Sequence, residues 1–104
     1  MADCAELVDG IAAHDSGADV VATTLSGYLP GTTPSEGPDL ELVATLRAEI
    51  PDAVIVAEGR YHTPGLASAA LAAGANAVVV GTAVTDPVWI TASFVRCLSG
   101  EPEC

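Results

Sequence analysis

Ala53-Val54-Ile55-Val56-Ala57-Glu58-Gly59-Arg60 is the stretch whose reading decides the fold. Apolar residues follow one another without a break and give way to a carboxylate, a glycine and a guanidinium. A run that is apolar at every position, instead of at alternate ones, is the pattern of a strand buried on both faces within a parallel sheet. Ligands of α/β folds gather at the carboxyl ends of such strands. Glu58 stands at that end.

Working outward, Leu42, Val43, Leu46 and Ile50 recur at helical spacing before the run, with Pro38-Asp39 as the start and Pro51 as the stop. After the run, Thr63 is a helix cap and Pro64 suits a first helical position, which predicts a helix over residues 64–73 that ends at Gly74. Residues 77–80 form a second apolar run, closed by Gly81-Thr82. Thr85-Asp86-Pro87 then opens a last helix, whose apolar face carries Ile90, Phe94, Val95 and Leu98, and Gly100 closes it. Upstream, residues 18–23 read as a strand. It runs through Thr24-Leu25-Ser26-Gly27-Tyr28 into a long loop rich in Gly, Pro, Thr and Ser. Loops of that length in compact domains are uncommon unless functional, and the hydroxyls here suit sugar or phosphate contacts; a surface insertion is the alternative. A first helix over about residues 4–15 is predicted, with Asp3 as its cap and Glu6 completing a capping box.

The predicted order is α-β-α-β-α-β-α. Gly17-Ala18-Asp19-Val20-Val21 and Gly74-Ala75-Asn76-Ala77-Val78 repeat one another weakly, each a helix stop followed by a strand. Alternation of this kind implies a parallel sheet with helical crossovers. Its strands make either a small open sheet or one side of an eight-stranded barrel, and a whole barrel needs about 250 residues.

Composition narrows the function. With 104 residues there is room for one domain. Three basic residues, all arginines, against 14 acidic ones give a net charge of −11, which argues against nucleic acid and against anionic membranes. No apolar run reaches the roughly 18 residues of a membrane span, and the amino terminus has no basic and apolar leader pattern, so a cytoplasmic protein is expected. There is no lysine, which excludes Schiff-base chemistry from these residues. Cys4, Cys97 and Cys104 fit no zinc spacing and are read as reduced thiols. No cluster of His, Cys and carboxylates has metal-ligand spacing, so no metal is expected.

Glu58 is the leading chemical candidate. Apolar walls around a strand end desolvate a carboxyl and suit it to exchanging protons near neutrality; pairing with Arg60 on the surface is the alternative. Gly59 and Gly81-Thr82 follow the last two strands, where backbone N–H groups can approach an anion, or where glycines merely turn the chain. Asp3 reads as a helix cap. His14 and His62 read as a structural and a solvated histidine, and Trp89 as helix packing.

Taken together and in order, Met1-Ala2-Asp3, Thr23-Thr24-Leu25-Ser26-Gly27-Tyr28, Pro38-Asp39-Leu40-Glu41-Leu42, Ala57-Glu58-Gly59-Arg60 with Thr63-Pro64, and Val78-Val79-Val80-Gly81 with Ile90-Thr91 resemble the C-terminal half of the bacterial N-acetylmannosamine-6-phosphate 2-epimerases. The resemblance implies a partial (β/α)8 TIM barrel that begins at the end of strand five and holds strands six to eight as a single, incomplete domain over residues 1–104. It implies an isomerase of sialic acid and amino sugar breakdown that moves the C2 proton of an amino-sugar phosphate, a truncated form with little activity alone. Glu58 and Asp3 become catalytic, and Gly59, Arg60, Gly81 and Thr82 become substrate-binding at the phosphate end. The acidity of a C2 proton beside the C1 carbonyl of the opened sugar makes a metal or redox cofactor unnecessary. The family's catalytic lysine falls outside these residues, and its arginine before the last helix is here Asp86. A non-catalytic half barrel that self-associates, assembles with a missing N-terminal half or binds a phosphorylated ligand is the competing expectation.

Overall fold

A computed structural model describes residues 1–30 and 36–101. Four parallel strands lie side by side in chain order. They are β1 (Ala2–Asp3), β2 (Val20–Ala22), β3 (Val54–Glu58) and β4 (Ala77–Val79). Between and after them run α1 (Leu7–Asp15), α2 (Leu40–Glu49), α3 (Pro64–Ala73), a one-turn α4 (Thr82–Thr85) and α5 (Pro87–Leu98). The long loop's residues 31–35 lie outside the described residues.

The helix ends follow local chemistry. Asp39 accepts from the Leu42 N–H at 2.9 Å and Thr63 from the Leu66 N–H at 3.2 Å, each satisfying a first-turn donor that the helix leaves open. Asp86 does the same for Trp89 at 3.0 Å, ahead of Pro87. The first helix corrects the expected cap. Its start is at Glu6, whose N–H, with that of Ala5, is taken by the Asp9 carboxylate. The box begins three residues later than the pattern Asp3-x-x-Glu6 suggests, and Asp3 is left to end a strand.

Period-two alternation sorts the strand residues onto two faces. Val21, Ile55 and Ala57 are completely buried against the helices, where Leu42, Val43, Leu46 and Ala70 meet them. Val54, Val56 and Glu58 face the other way, with Val54 44% exposed. The central run is therefore covered on one face only by these residues, although its sequence suits cover on both. The same holds for α5. Its apolar side lies open, with Phe94 66% and Leu98 86% exposed, and no α5 residue is fully buried.

Asn76 and Arg47 staple the lower ends of β3 and β4. The Asn76 N–H donates to the Ile55 carbonyl at 2.8 Å, and its side-chain carbonyl accepts from the Ile55 N–H at 2.8 Å, so one residue stands in for a ladder partner. Arg47 donates to that same side-chain oxygen and to the carbonyls of Pro51, Ala53 and Gly74. Cys4 is a buried free thiol, whereas Cys97 is disulfide-bonded, which corrects the expected reduced state there. Among the described residues no helix is long and apolar enough to cross a membrane.

The staple yields a prediction. Asn76→Ala strands the Ile55 N–H and one arm of Arg47, and should lower stability by about 2–3 kcal/mol. A fall in the urea midpoint at unchanged m-value checks it.

Candidate active site

Asp3, Ala22 and Val56 lie opposite one another across β1, β2 and β3. Two residues further along, on the same face, stand Thr24 and Glu58. The three polar side chains meet there. The Thr24 hydroxyl is 2.9 Å from Asp3 Oδ1 and 2.8 Å from Glu58 Oε2. Asp3, from the first strand, and Glu58, from the third, thus share one oxygen carried by the segment just past the second.

Thr23 holds the backbone of the same glutamate. It is 2% exposed. Its hydroxyl accepts from the Glu58 N–H and donates to the Glu58 carbonyl, each at 3.0 Å. A buried hydroxyl with both a donor and an acceptor role does here what a neighbouring strand would do, at the point where the ladder runs out.

Past Glu58 the chain reverses sharply. Gly59 has φ 108° and Arg60 has φ 62°, the one described residue other than glycine with positive φ. Left-handed backbone costs an arginine energy, and its side chain supplies the compensation. The Arg60 guanidinium donates to the Ser26 carbonyl at 3.0 Å and to the Gly37 carbonyl at 2.8 Å, and lies over the Tyr28 ring, 5.1 Å from its centre. Gly27 passes so close that an added Cβ would sit 3.2 Å from the guanidinium nitrogens. Ser26 also hydrogen-bonds Asp39, which ties the loop after β2 to the start of α2. Arg60 is thus turned toward the loop and Glu58 toward Thr24, so the two do not form the surface ion pair that was the alternative reading.

Glu58, Gly59, Arg60, Gly81 and Thr82 line one cleft of about 160 Å³, with Tyr28, Tyr61, His62 and Val79. The proposed substrate-binding residues therefore come together at the carboxyl end of β3 and β4. Asp3 does not line this cleft and reaches it through Thr24. His62 stacks at a tilt on Trp89, with ring centres 4.6 Å apart. Among the described residues no group of His, Cys and carboxylates is placed to hold a metal.

Two residues escaped the sequence reading. Thr24 was read as part of a hydroxyl-bearing loop and of a segment that carries the family resemblance, with no role of its own; its position two residues beyond a strand position facing the same way as Glu58 is a signal that needs the register to be read. Tyr61 is 2% exposed, and its hydroxyl has no hydrogen-bond partner among the described residues. Burial pushes its phenol above the ordinary 10.0, with the Asp39 charge adding to the rise and Arg60 opposing it. Burial likewise raises the Cys4 thiol, helped by Asp9 and Asp3.

A parallel sheet backed by helices, with acidic residues and glycine turns gathered at its carboxyl edge, has the form of a portion of a (β/α) barrel. The family described as "Putative N-acetylmannosamine-6-phosphate epimerase" matches residues 1–99, and the chain belongs to it. A relative of the same description from Corynebacterium glutamicum is 43% identical over 94% of this chain and 42% of its own length. One from Yersinia pestis is 52% identical over 82% of this chain and 35% of its own. The solved N-acetylmannosamine-6-phosphate 2-epimerase of Clostridium perfringens superposes with a TM-score of 0.85 at 41% identity, over 93% of this chain and 42% of that one. The chain spans about two fifths of the length of the relatives it matches, and its fold is a partial barrel.

Two predictions arise here. Thr23→Val keeps the shape but strands both backbone groups of Glu58; it should cost about 2 kcal/mol and speed hydrogen exchange at the Glu58 amide more than at Ile55. Tyr61→Phe removes an unpaired buried hydroxyl and should stabilise the fold by about 1 kcal/mol. Because the folded phenol titrates above the unfolded one, its contribution is fully present below pH 10.0 and is lost as pH rises beyond that value. In the phenylalanine variant the alkaline loss of stability should shrink to the part due to Cys4, which urea midpoints across the alkaline range would show.

Proposed function

We propose that these 104 residues are the C-terminal half of the barrel of an N-acetylmannosamine-6-phosphate 2-epimerase, which interconverts N-acetylmannosamine 6-phosphate and N-acetylglucosamine 6-phosphate in the cytoplasm. The observation that carries the reading is the convergence of Glu58 with Asp3 on Thr24, beside the cleft lined by Gly59, Arg60, Gly81 and Thr82. Family membership supplies the substrate class.

The chemistry follows from the substrate. In the opened sugar the C1 carbonyl acidifies the proton on C2, so a positioned carboxylate can exchange it. Glu58 is held twice, by Thr23 at its backbone and by Thr24 at its carboxylate, and so meets the substrate in one orientation. Inversion needs a second acid/base group on the opposite face. This chain has no lysine, and the family's lysine would come from outside these residues. Gly59 and Gly81 would present backbone N–H groups to the phosphate. The chain's arginines are otherwise engaged, Arg47 and Arg60 with carbonyls and Arg96 with Glu101. Asp86, bound to the Trp89 N–H, serves the helix start.

A cleft of about 160 Å³ is smaller than the ~300–1,000 Å³ that ligand sites occupy, so other residues would complete its wall. The free sides of β1 and β4 and the exposed apolar residues of α5, Val88, Phe94, Val95 and Leu98, are where the remainder of a barrel would pack.

The test is complementation. The purified chain should show no epimerisation by itself. Mixed with the N-terminal portion of a relative, it should regain turnover, and Glu58→Gln should then lower kcat by about 10²–10⁴-fold. Strong turnover by the chain alone would overturn the half-site reading, and a complex whose activity survives Glu58→Gln would overturn the role of Glu58.

A further inference from the structure

Thr24 has one hydroxyl proton and two carboxylates within hydrogen-bond distance. With both carboxylates ionised, it can donate to only one of them; the other contact would press lone pair against lone pair at under 3 Å. Both contacts are attractive only when one carboxyl is protonated and donates to the Thr24 oxygen, while Thr24 donates to the other. Two arrangements satisfy this. In one the proton resides on Asp3 and Thr24 donates to Glu58. In the other Glu58 is protonated and Thr24 donates to Asp3.

We infer that Thr24 is a positioning residue that couples Asp3 to Glu58 through one shared proton. Passing from the first arrangement to the second breaks the O–H bond of Asp3 and forms one at Thr24, while the original Thr24 O–H bond breaks and a new one forms at Glu58. One proton has moved from Asp3 to Glu58, Thr24 is unchanged, and no other reactant is needed.

The backbone holds this geometry from both sides. The Thr23 N–H donates to the Val56 carbonyl at 3.1 Å, and the Leu25 N–H donates to the Cys4 carbonyl at 3.1 Å. Thr24 lies between these anchors, one on the strand of Glu58 and one on the residue that follows Asp3. Thr24 is half-buried, and so is Glu58, whereas Asp3 is exposed. The relay therefore leads from solvent to the glutamate in the cleft. A two-base epimerisation leaves its acid and its base in exchanged protonation states after each turnover. A path from Asp3 to Glu58 would reset the glutamate. This last role rests on the epimerase reading; the coupling does not.

The test reads the carboxyl ¹³C resonances of Asp3 and Glu58 in the 104-residue chain, so that no turnover is needed. Asp3→Asn should shift the Glu58 carboxyl resonance when residue 24 is threonine or, in Thr24→Ser, serine, and should leave it in place in the isosteric Thr24→Val background. If Asp3→Asn leaves Glu58 unmoved in the otherwise native chain, the coupling is absent and the inference fails. If the shift persists undiminished in Thr24→Val, the carboxylates interact directly and Thr24 is not the link. In the complemented enzyme, Thr24→Val should lower kcat with KM unchanged, and Thr24→Ser should restore it. Loss of activity in all forms with the resonance coupling intact would count against the epimerase reading alone.

Discussion

Parallel register across β1, β2 and β3 is the constraint on which the meeting of Asp3, Thr24 and Glu58 depends. Asp3, Ala22 and Val56 stand in line, and alternation then carries Thr24 and Glu58 to the face that Asp3 occupies. A slip of one residue in any of these strands would turn its side chains to the helix layer. The apolar partners make that slip costly, since Val21, Ile55 and Ala57 are fully buried on the other face. Packing of the helix layer thus sets the site on the opposite surface.

At the end of β2 two adjacent hydroxyls divide the work on one glutamate. Thr23 satisfies its backbone and Thr24 its carboxylate. The turn that follows is stabilised in a comparable way, because Arg60 adopts left-handed backbone and its side chain gathers the carbonyls of Ser26 and Gly37. Arg47 performs the same service at the other end of the sheet. In a chain of net charge −11 with three cations, two of them act as backbone staples. Under the proposed function, an anionic ligand at this edge would meet mainly the main chain of Gly59 and Gly81.

The alternation of α1 to β4, the helix that follows, and the caps at Asp39, Thr63 and Asp86 were legible because they follow from short-range patterns: apolar runs, turn glycines and capping side chains; the one-turn α4 was not read, and it was the family resemblance that grouped Glu58, Gly59, Arg60, Gly81 and Thr82. The strand at Ala2–Asp3 was not legible from pattern, since two residues carry no periodicity, and only the family resemblance placed a strand end there. The cap at Glu6 was misread because Asp3 and Glu6 have the same spacing as Glu6 and Asp9. The apolar face of α5 was legible from its spacing, but that Phe94, Val95 and Leu98 on it stay exposed was not, because exposure depends on what packs against the helix.

By itself, then, the sequence determined that parallel strands alternate with helices, that a carboxylate ends the central strand, and that glycine turns follow it. These are local properties, written in runs of a few residues. Only the tertiary structure decided which distant groups act together. Asp3 and Glu58 are 55 positions apart in sequence, and no spacing along the chain reveals that both reach Thr24. That meeting is created by hydrogen-bond register between strands and by burial of the opposite face, both of which exist only once the sheet has formed.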